Sequence, residues 1–502
     1  MLRFSQALAD IPLIARAGGD PEIAALEFDS RAVRPGALFV AMQGESNDGN
    51  RYIPAAIAAG ASAIITDSAA SFAAAAHQGL PVAQVLHGRR ALATASANVF
   101  CHPERKLALT GITGTNGKTT TAFLLEAILQ SIGRKSALVG TIEYHVAGRT
   151  IPAPHTTPES RDLFQILADA AAAQATEAVM EVSSHALEQG RVWGLHYDVA
   201  VFTNLTRDHL DYHRTMEAYF ESKAILFRGQ AAEGGAAPPR VAVIREDDSH
   251  GSRMIQIARD TGSEVLTYGI SRGHFRAEQI TLAPSSTRFT FQTPAGQVEI
   301  ATRLAGRVNI ENTLAAATAA YARGLTLDEI AAGAAQLTNV PGRFETVDAG
   351  QPFTVVVDYA HTDDALRNLL TLAREFVNGT SARVITLFGC GGDRDRTKRP
   401  LMGRAAGELS DYVVLTSDNP RSENPEAILD EIEPALRATK TEYAREANRA
   451  AAIALAIHKA RANDIVLLAG KGHEKTQTIG TVATPFDDAA IARTILQALN
   501  KK

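Results

Sequence analysis

Residues 111–121, GITGTNGKTTT, decide the fold. They follow the apolar run 107–113 (LALTGIT) and lead into 119–129 (TTTAFLLEAIL), where Leu125, Ile128 and Leu129 recur at helical spacing. A strand, a glycine-rich turn and a helix in that order read as a phosphate-binding loop, with a chance glycine-rich turn as the plain alternative. Gly114 and Gly117 let the backbone curl, and the amides of Thr115, Asn116 and their neighbours point at one centre. The helix N-terminus adds positive partial charge. Lys118 is placed to neutralise terminal phosphates, and Thr119 or Thr120 supplies a hydroxyl for Mg2+. ATP with Mg2+ is the expected cofactor pair. Ile112 stands where the strict motif has glycine, so the loop is a variant form.

The pattern extends outward as alternating strand and helix. Apolar runs at 178–182 and 199–203 predict further strands beside 107–113, hence a parallel sheet wrapped by helices. The Gly-, Ala- and Pro-rich stretch 231–239 reads as a surface loop, and 168–173 as helix. Upstream, 38–42 (LFVAM) and 61–66 (ASAIIT) read as short buried strands around a helix at 52–59. Downstream, the Pro-Gly step in 339–343 suits a hinge. Strands are expected after it at 354–358, 384–388, 412–416 and 465–469. The chain has 502 residues, and a prior of ~150 per domain favours three α/β domains. They are expected at 1–102, 103–340 and 341–502.

Composition narrows the function classes. Apolar residues make up 45% and charged residues 21%, as in ordinary globular chains. A net charge of -5 offers no general attraction to nucleic acid or membrane surfaces. Cys101 and Cys390 are the two cysteines, too few for a disulfide framework or a CxxC metal site. The first 17 residues lack a signal-peptide pattern, and no apolar run of ~20 residues occurs. A cytoplasmic protein without membrane insertion is expected, and a monomer.

Other residues suggest chemistry less sharply. Glu181 ends an apolar run, where ligands of open α/β sheets gather, and could hold a metal near the loop. Taken alone it reads more simply as a capping or solvated carboxylate. Asp208, His209, Asp211 and His213 crowd the end of another run, consistent with a site or with a hydrogen-bonded turn. Lys223 lies in a helical stretch, where a lone lysine is ordinarily solvated.

Taken in order, a series of motifs resembles the Mur ligase superfamily over nearly the whole chain. They are LEFDSR (26–31), GTNGKTTT (114–121), HTTPES (155–160), MEVSSHAL (180–187), NLTRDHLDYH (204–213) with Lys223, and AGRVNIEN (305–312). NVPGRFE (339–345), DYAHT (358–362), FGCGGDRD (388–395), SDNPR (417–421) and GKGHE (470–474) follow. The resemblance implies a three-domain architecture: a small N-terminal α/β domain, a central P-loop ATPase domain with a parallel sheet, and a C-terminal Rossmann-like domain.

It also implies residue roles. Lys223 matches a lysine carried as a carbamate, which turns a cation into an oxygen ligand. Thr119, Glu181 and His209 match positions near the metals, so Lys118, Glu181, His209 and Lys223 form the expected catalytic set. Asn312, Arg343, Asp358 and His361 match residues around the nucleotide. Phe28 and Ser30 match a uracil-nucleotide pocket. His155, Thr156, Thr157, Ser183, Gln189 and Arg191 match the binding region for the muramoyl-dipeptide. SDNPR resembles the signature for meso-diaminopimelate, whose far carboxylate a guanidinium at Arg421 can grip bidentately. Arg394, Asp418, Asn419, Pro420, Gly470 and Glu474 complete that set, with Glu474 suited to a distal ammonium. Asn-Pro with a solvent-facing arginine is the plain alternative for DNPR alone.

The implied activity is ATP-dependent ligation of meso-diaminopimelate to UDP-N-acetylmuramoyl-L-alanyl-D-glutamate through an acyl-phosphate, in peptidoglycan precursor synthesis. A lysine-adding relative or a folylpolyglutamate synthetase is the nearest alternative, and a P-loop switch or a scaffold protein a remoter one. Two departures from the family pattern stand out. Asp363 replaces the usual proline after DYAHT, which is expected to loosen that turn, and Asn50 stands where histidine is common.

Overall fold

The computed structural model describes residues 2–44, 47–283 and 286–499. Among these residues the chain builds three major sheets, each flanked by helices. The central sheet has eleven strands. Seven run parallel: Ser136–Val139, Glu177–Glu181, Ala108–Thr113, Val199–Phe202, Val241–Arg245, Glu264–Gly269 and Phe275–Ala283, in that spatial order. The strand Ala108–Thr113 is buried along most of its length between Glu177–Glu181 and Val199–Phe202. The phosphate loop therefore leaves the sheet near its middle, at the strands' carboxyl ends. The following helix, Lys118–Ser131, buries Leu124, Leu125, Ile128 and Leu129 against Ile112, Val179 and the helix Arg307–Ala322.

The central sheet departs from the all-parallel expectation at both edges. The hairpin Glu143–Val146 and Arg149–Pro152 closes one side. At the other, Ser286–Thr293 and Gly296–Thr302 continue antiparallel from Phe275–Ala283. Ser286–Thr293 has one wet face, so its buried residues alternate, as at Thr287, Phe289 and Phe291. A search for continuous apolar runs passes over such strands.

The N-terminal sheet places Leu13–Ala17, Val82–Val85, Ala63–Thr66, Ala37–Ala41 and Ala25–Glu27 side by side. In the C-terminal sheet five parallel strands, Thr354–Asp358, Ile465–Ala469, Val384–Phe388, Tyr412–Leu415 and Glu442–Arg445, carry Glu345–Thr346 on one edge. Three of these strands coincide residue for residue with the apolar runs, because each is enclosed by helices on both faces and has no polar side to break its pattern.

Ion pairs and hydrogen bonds join the layers. Arg161 donates to the Leu26 carbonyl (3.1 Å) and to Glu27 (3.2 Å), and Arg89 binds Glu159 through both carboxylate oxygens (2.6 and 2.8 Å). The turn expected to loosen at Asp363 is closed. Thr362 caps the helix Asp363–Val377 by accepting from the Ala365 amide at 3.2 Å, a cap that needs no proline. Asn50 is buried and satisfied by Asp48, Asp67 and Thr66 at 2.6–2.8 Å.

Candidate active site

The loop's glycines are required by their backbone and by their neighbours. Gly114 and Gly117 have φ of 148° and 86°. A Cβ on Gly114 would strike the Thr203 hydroxyl, and one on Gly117 the Asn312 amide oxygen. The loop is also tied down: Asn204 accepts from the Asn116 amide at 2.9 Å, and Thr203 donates to the Asn116 carbonyl at 2.6 Å. This preorganised cradle is what a polyphosphate needs.

Two lysines converge beneath it. Lys118 Nζ donates to the Gly114 and Thr115 carbonyls at 2.9 and 2.8 Å. Lys223 Nζ donates to the same Gly114 oxygen at 2.9 Å and lies 4.5 Å from the centre of the Tyr219 ring. Lys223 is 1% exposed. Burial, reinforced by the Lys118 charge, holds its ammonium well below the usual lysine range. Burial likewise lowers Lys118, against the pull of Glu181 and Asp208. A carbamate on this amine would set an anion beside the Lys118 cation, which shares the Gly114 carbonyl, so the surroundings fit one.

Glu181 is wholly buried at the end of its strand. Its carboxylate accepts from the Thr141 amide (2.8 Å), the Thr141 hydroxyl (3.0 Å) and the Thr119 hydroxyl (3.1 Å). Thr119 and Glu181 thus offer adjacent hard oxygens, the donor type Mg2+ prefers. Among the described residues no group of three or more His, Cys, Asp or Glu forms a metal cluster. Mg2+ commonly uses one or two carboxylates together with substrate phosphates, so the oxygens present suit it. His209 sits on a left-handed turn (φ 53°), its ring edge-on to His185 at 4.9 Å. Its side chain is 45% exposed, and its Nε2 lies 3.5 Å from Asp208.

A cavity of about 310 Å3 runs from Thr115–Thr120 and Glu181 past Thr141, Thr156 and Ser183 to Asn312, Arg343, Asp358 and His361. It spans the central and C-terminal sheets. Asp358 is anchored by the Phe344 and Ala360 amides at 2.7 and 2.8 Å, while burial raises its carboxyl. The Arg343 guanidinium lies 4.7 Å from the centre of the Tyr359 ring.

A second cavity, about 480 Å3, is lined by Arg394, Asp418, Asn419, Arg421, Gly470 and Glu474. Arg421 takes φ 52° and its backbone is clasped by the hairpin strand Thr476–Ile479: its amide donates to Thr478 (3.1 Å), and its carbonyl accepts from Gly480 (2.7 Å). One guanidinium nitrogen, Nη1, donates to the Gly392 carbonyl at 2.7 Å. The two cavities share Asp208, His209, Tyr359, His361 and Thr362 as a common wall.

Not every expected residue lies on these walls. Lys223 sits behind the loop rather than on the cavity surface. Thr157 is buried, donating to the Glu181 carbonyl at 2.9 Å. Arg191 donates to Thr157 and Gln189 (3.0 and 2.9 Å) and pairs with Glu159. The His155 carbonyl accepts from the Tyr144 hydroxyl. Phe28 packs on the N-terminal core, and neither it nor Ser30 lines either cavity. Pro420 also lies off both walls.

Three family models match successive stretches of the chain: Mur ligase family, catalytic domain (22–99), Mur ligase middle domain (112–320), and Mur ligase, glutamate ligase domain (342–472). A UDP-N-acetylmuramoyl-L-alanyl-D-glutamate--2,6-diaminopimelate ligase from Solibacter usitatus is 50% identical over 477 residues, covering 95% of this chain and 94% of that one. The chain belongs to the Mur ligase family. A relative of the same description from Geobacter metallireducens is 46% identical, over 96% of this chain and 95% of that one. A solved structure so described is 33% identical with a TM-score of 0.68, covering 95% of each chain. MurF from Acinetobacter baumannii shares the fold at 19% identity and a TM-score of 0.67, over 93% of this chain and 95% of that one.

In this Mur ligase several site residues escape sequence reasoning. Thr141 holds Glu181 through two hydrogen bonds, and Tyr359 lies on the shared wall. Arg449 is completely buried against Asp488 (2.6 Å) and donates to the Ser417 and Ala469 carbonyls, just before Asp418 and Gly470. Tyr359 stands inside DYAHT (358–362), so its signal is local. Thr141 and Arg449 carry no local signal.

Proposed function

We propose that this Mur ligase joins meso-diaminopimelate to UDP-N-acetylmuramoyl-L-alanyl-D-glutamate, consuming ATP and releasing ADP and phosphate, in peptidoglycan precursor synthesis. The observation that carries it is the shared wall: a phosphate-loop cavity and a cavity with Arg394, Arg421 and Glu474 meet at Asp208, His209 and His361. An activated carboxylate on one side can therefore meet an amine on the other.

In this reading, residues 1–102 hold the uridine nucleotide through Phe28 and Ser30, 103–340 bind ATP, and 341–502 bind the amino acid. His155, Thr156, Thr157, Ser183, Gln189 and Arg191 form the muramoyl-dipeptide side. The carboxylate oxygen of that substrate takes the γ-phosphoryl group and ADP leaves. The neutral amine then attacks the acyl carbon, the amide C–N bond forms as the C–O bond to the phosphate oxygen breaks, and the proton lost from nitrogen leaves with the phosphate as HPO4(2-).

Lys118 and the loop amides stabilise charge on the phosphoryl group in a site already organised to receive it. Asn312, Arg343, Asp358 and His361 hold the nucleotide across the interface. Mg2+, when bound, supplies Lewis-acid neutralisation of the phosphate oxygens. Thr119, Glu181, His209 and Lys223 as a carbamate would hold it. Arg421 and Glu474 grip the charged far end of diaminopimelate, with Arg394, Asp418, Asn419, Pro420 and Gly470 shaping the pocket. The chain works in the cytoplasm as a monomer.

The test is ADP release by the purified chain given ATP, Mg2+ and the muramoyl-dipeptide nucleotide, with meso-diaminopimelate, lysine or glutamate offered separately. Turnover with diaminopimelate alone is expected. Turnover with lysine instead would move the reading to a lysine-adding ligase, and no turnover with any of the three would sink it.

A further inference from the structure

Lys471 is fully buried, its side chain 0% exposed. Its Nζ donates to Glu474 Oε2 at 2.8 Å, to Asn419 Oδ1 at 3.1 Å and to the Thr476 carbonyl at 2.7 Å. An ammonium has three donors. All are committed to the protein, so none is left for a ligand. Lys471 itself does not line the amino-acid cavity, whereas Asn419 and Glu474 do.

The bonds around this ammonium determine how those two side chains face. Glu474 Oε2 also accepts from Asn419 Nδ2 at 2.7 Å, so one carboxylate oxygen carries two donors. Asn419 Oδ1 also accepts from the Thr478 amide at 3.0 Å, which sets the amide's orientation. Thr476 and Thr478 belong to the strand that clasps the Arg421 backbone. Lys471 therefore links the anionic and cationic sides of the pocket. A carboxylate without that counter-charge, in a cavity also lined by Arg394 and Arg421, would be drawn towards their guanidinium groups. The pocket would then neutralise itself instead of a zwitterionic ligand.

We propose that Lys471 is a positioning residue for the amino-acid substrate. It pins Glu474 by Oε2 and orients Asn419, so that Glu474 Oε1 faces the substrate's distal ammonium and Arg421 stays available for its distal carboxylate. This rests on the diaminopimelate reading of the same cavity.

The test is Lys471→Met, close in length but without charge or donors, measured with each substrate varied in turn. Leaving Glu474 without its buried partner should raise KM for diaminopimelate about tenfold or more. The kcat should stay within about threefold, and KM for ATP and for the muramoyl-dipeptide nucleotide should not move. Glu474→Gln should show the same split. The double variant should be no worse than the poorer single, because both changes remove one coupled unit.

An unchanged diaminopimelate KM, an equal rise in all three KM values, or multiplicative losses in the double variant would each overturn the proposal. If Lys471→Met does not fold, as judged by circular dichroism, Asn419→Ala removes the other donor to Glu474 Oε2. It should then give the same selective KM rise and the same non-additivity with Glu474→Gln, and a failure of either would again overturn the proposal. A parent enzyme that ignores diaminopimelate refutes the underlying reading, whereas an active parent with an insensitive Lys471 refutes this inference alone.

Discussion

Replacing Arg421 by lysine keeps the charge and removes the planar fork. In the structure Nη1 is spent on the Gly392 carbonyl, so Nη2 and Nε are the pair that can grip a carboxylate side by side. A hydrogen bond to a charged group is worth about 1.5–3 kcal/mol, so losing one of the two should raise KM for diaminopimelate about 10- to 150-fold. Arg421→Ala loses both, and the rise should exceed about 150-fold. The backbone at φ 52° tolerates the change, because the hairpin holds it through the Arg421 amide and carbonyl rather than the side chain. Lysine as substrate has no distal carboxylate, so any turnover it supports at high concentration should be unchanged or improved, and discrimination between the two amino acids should fall by roughly the factor lost. The assay is ADP release in a coupled spectrophotometric format with each amino acid varied at saturating ATP. Equal losses for diaminopimelate and lysine, or a loss confined to kcat, would refute the assignment of Arg421 to the distal carboxylate.

Gly117→Ala should cut nucleotide affinity at least about tenfold, because the new Cβ meets the Asn312 oxygen at a positive φ; isothermal titration with ADP reads this, and wild-type affinity would count against the cradle geometry. Lys223→Met should lower kcat at least about 100-fold, while leaving the melting temperature in bicarbonate-free buffer equal or higher, since a buried amine with no ion pair among the described residues is removed from the interior. A fall of several degrees would mean the bond to Gly114 supports the fold. The pH dependence of stability should locate His145. Burial opposes its charge, but hydrogen bonds and charge from Glu126 and Glu143 outweigh burial and raise it to about 9. A folded value above the unfolded one of about 6.5 means its contribution is complete below pH 6.5 and lost as pH rises through 9. His145→Gln should therefore lower urea-unfolding stability at pH 6 and make little difference at pH 10, and a gap that persists at pH 10 would contradict this.

Much of the site was legible because its chemistry is local. A phosphate loop is one contiguous turn, and Gly114, Gly117, Lys118 and Thr119 announce it by spacing alone. The strands Thr354–Asp358, Val384–Phe388 and Ile465–Ala469 were readable because sheets covered on both faces demand unbroken apolar runs. The meander ending in Gly296–Thr302 carries no such run, since a half-wet strand hides its apolar residues in alternation.

By itself, then, the sequence determined the strand–loop–helix unit, the α/β class and the motif order that marks the family, since backbone curvature and burial periodicity are written in neighbouring residues. Only the tertiary structure decided that Lys118 and Lys223, 105 positions apart, share the Gly114 carbonyl. It also decided that Thr141 holds Glu181 and that Lys471 vanishes beneath Asn419 and Glu474. Those distances come from how helices pack across sheets, and no local pattern of residues encodes a separation through space.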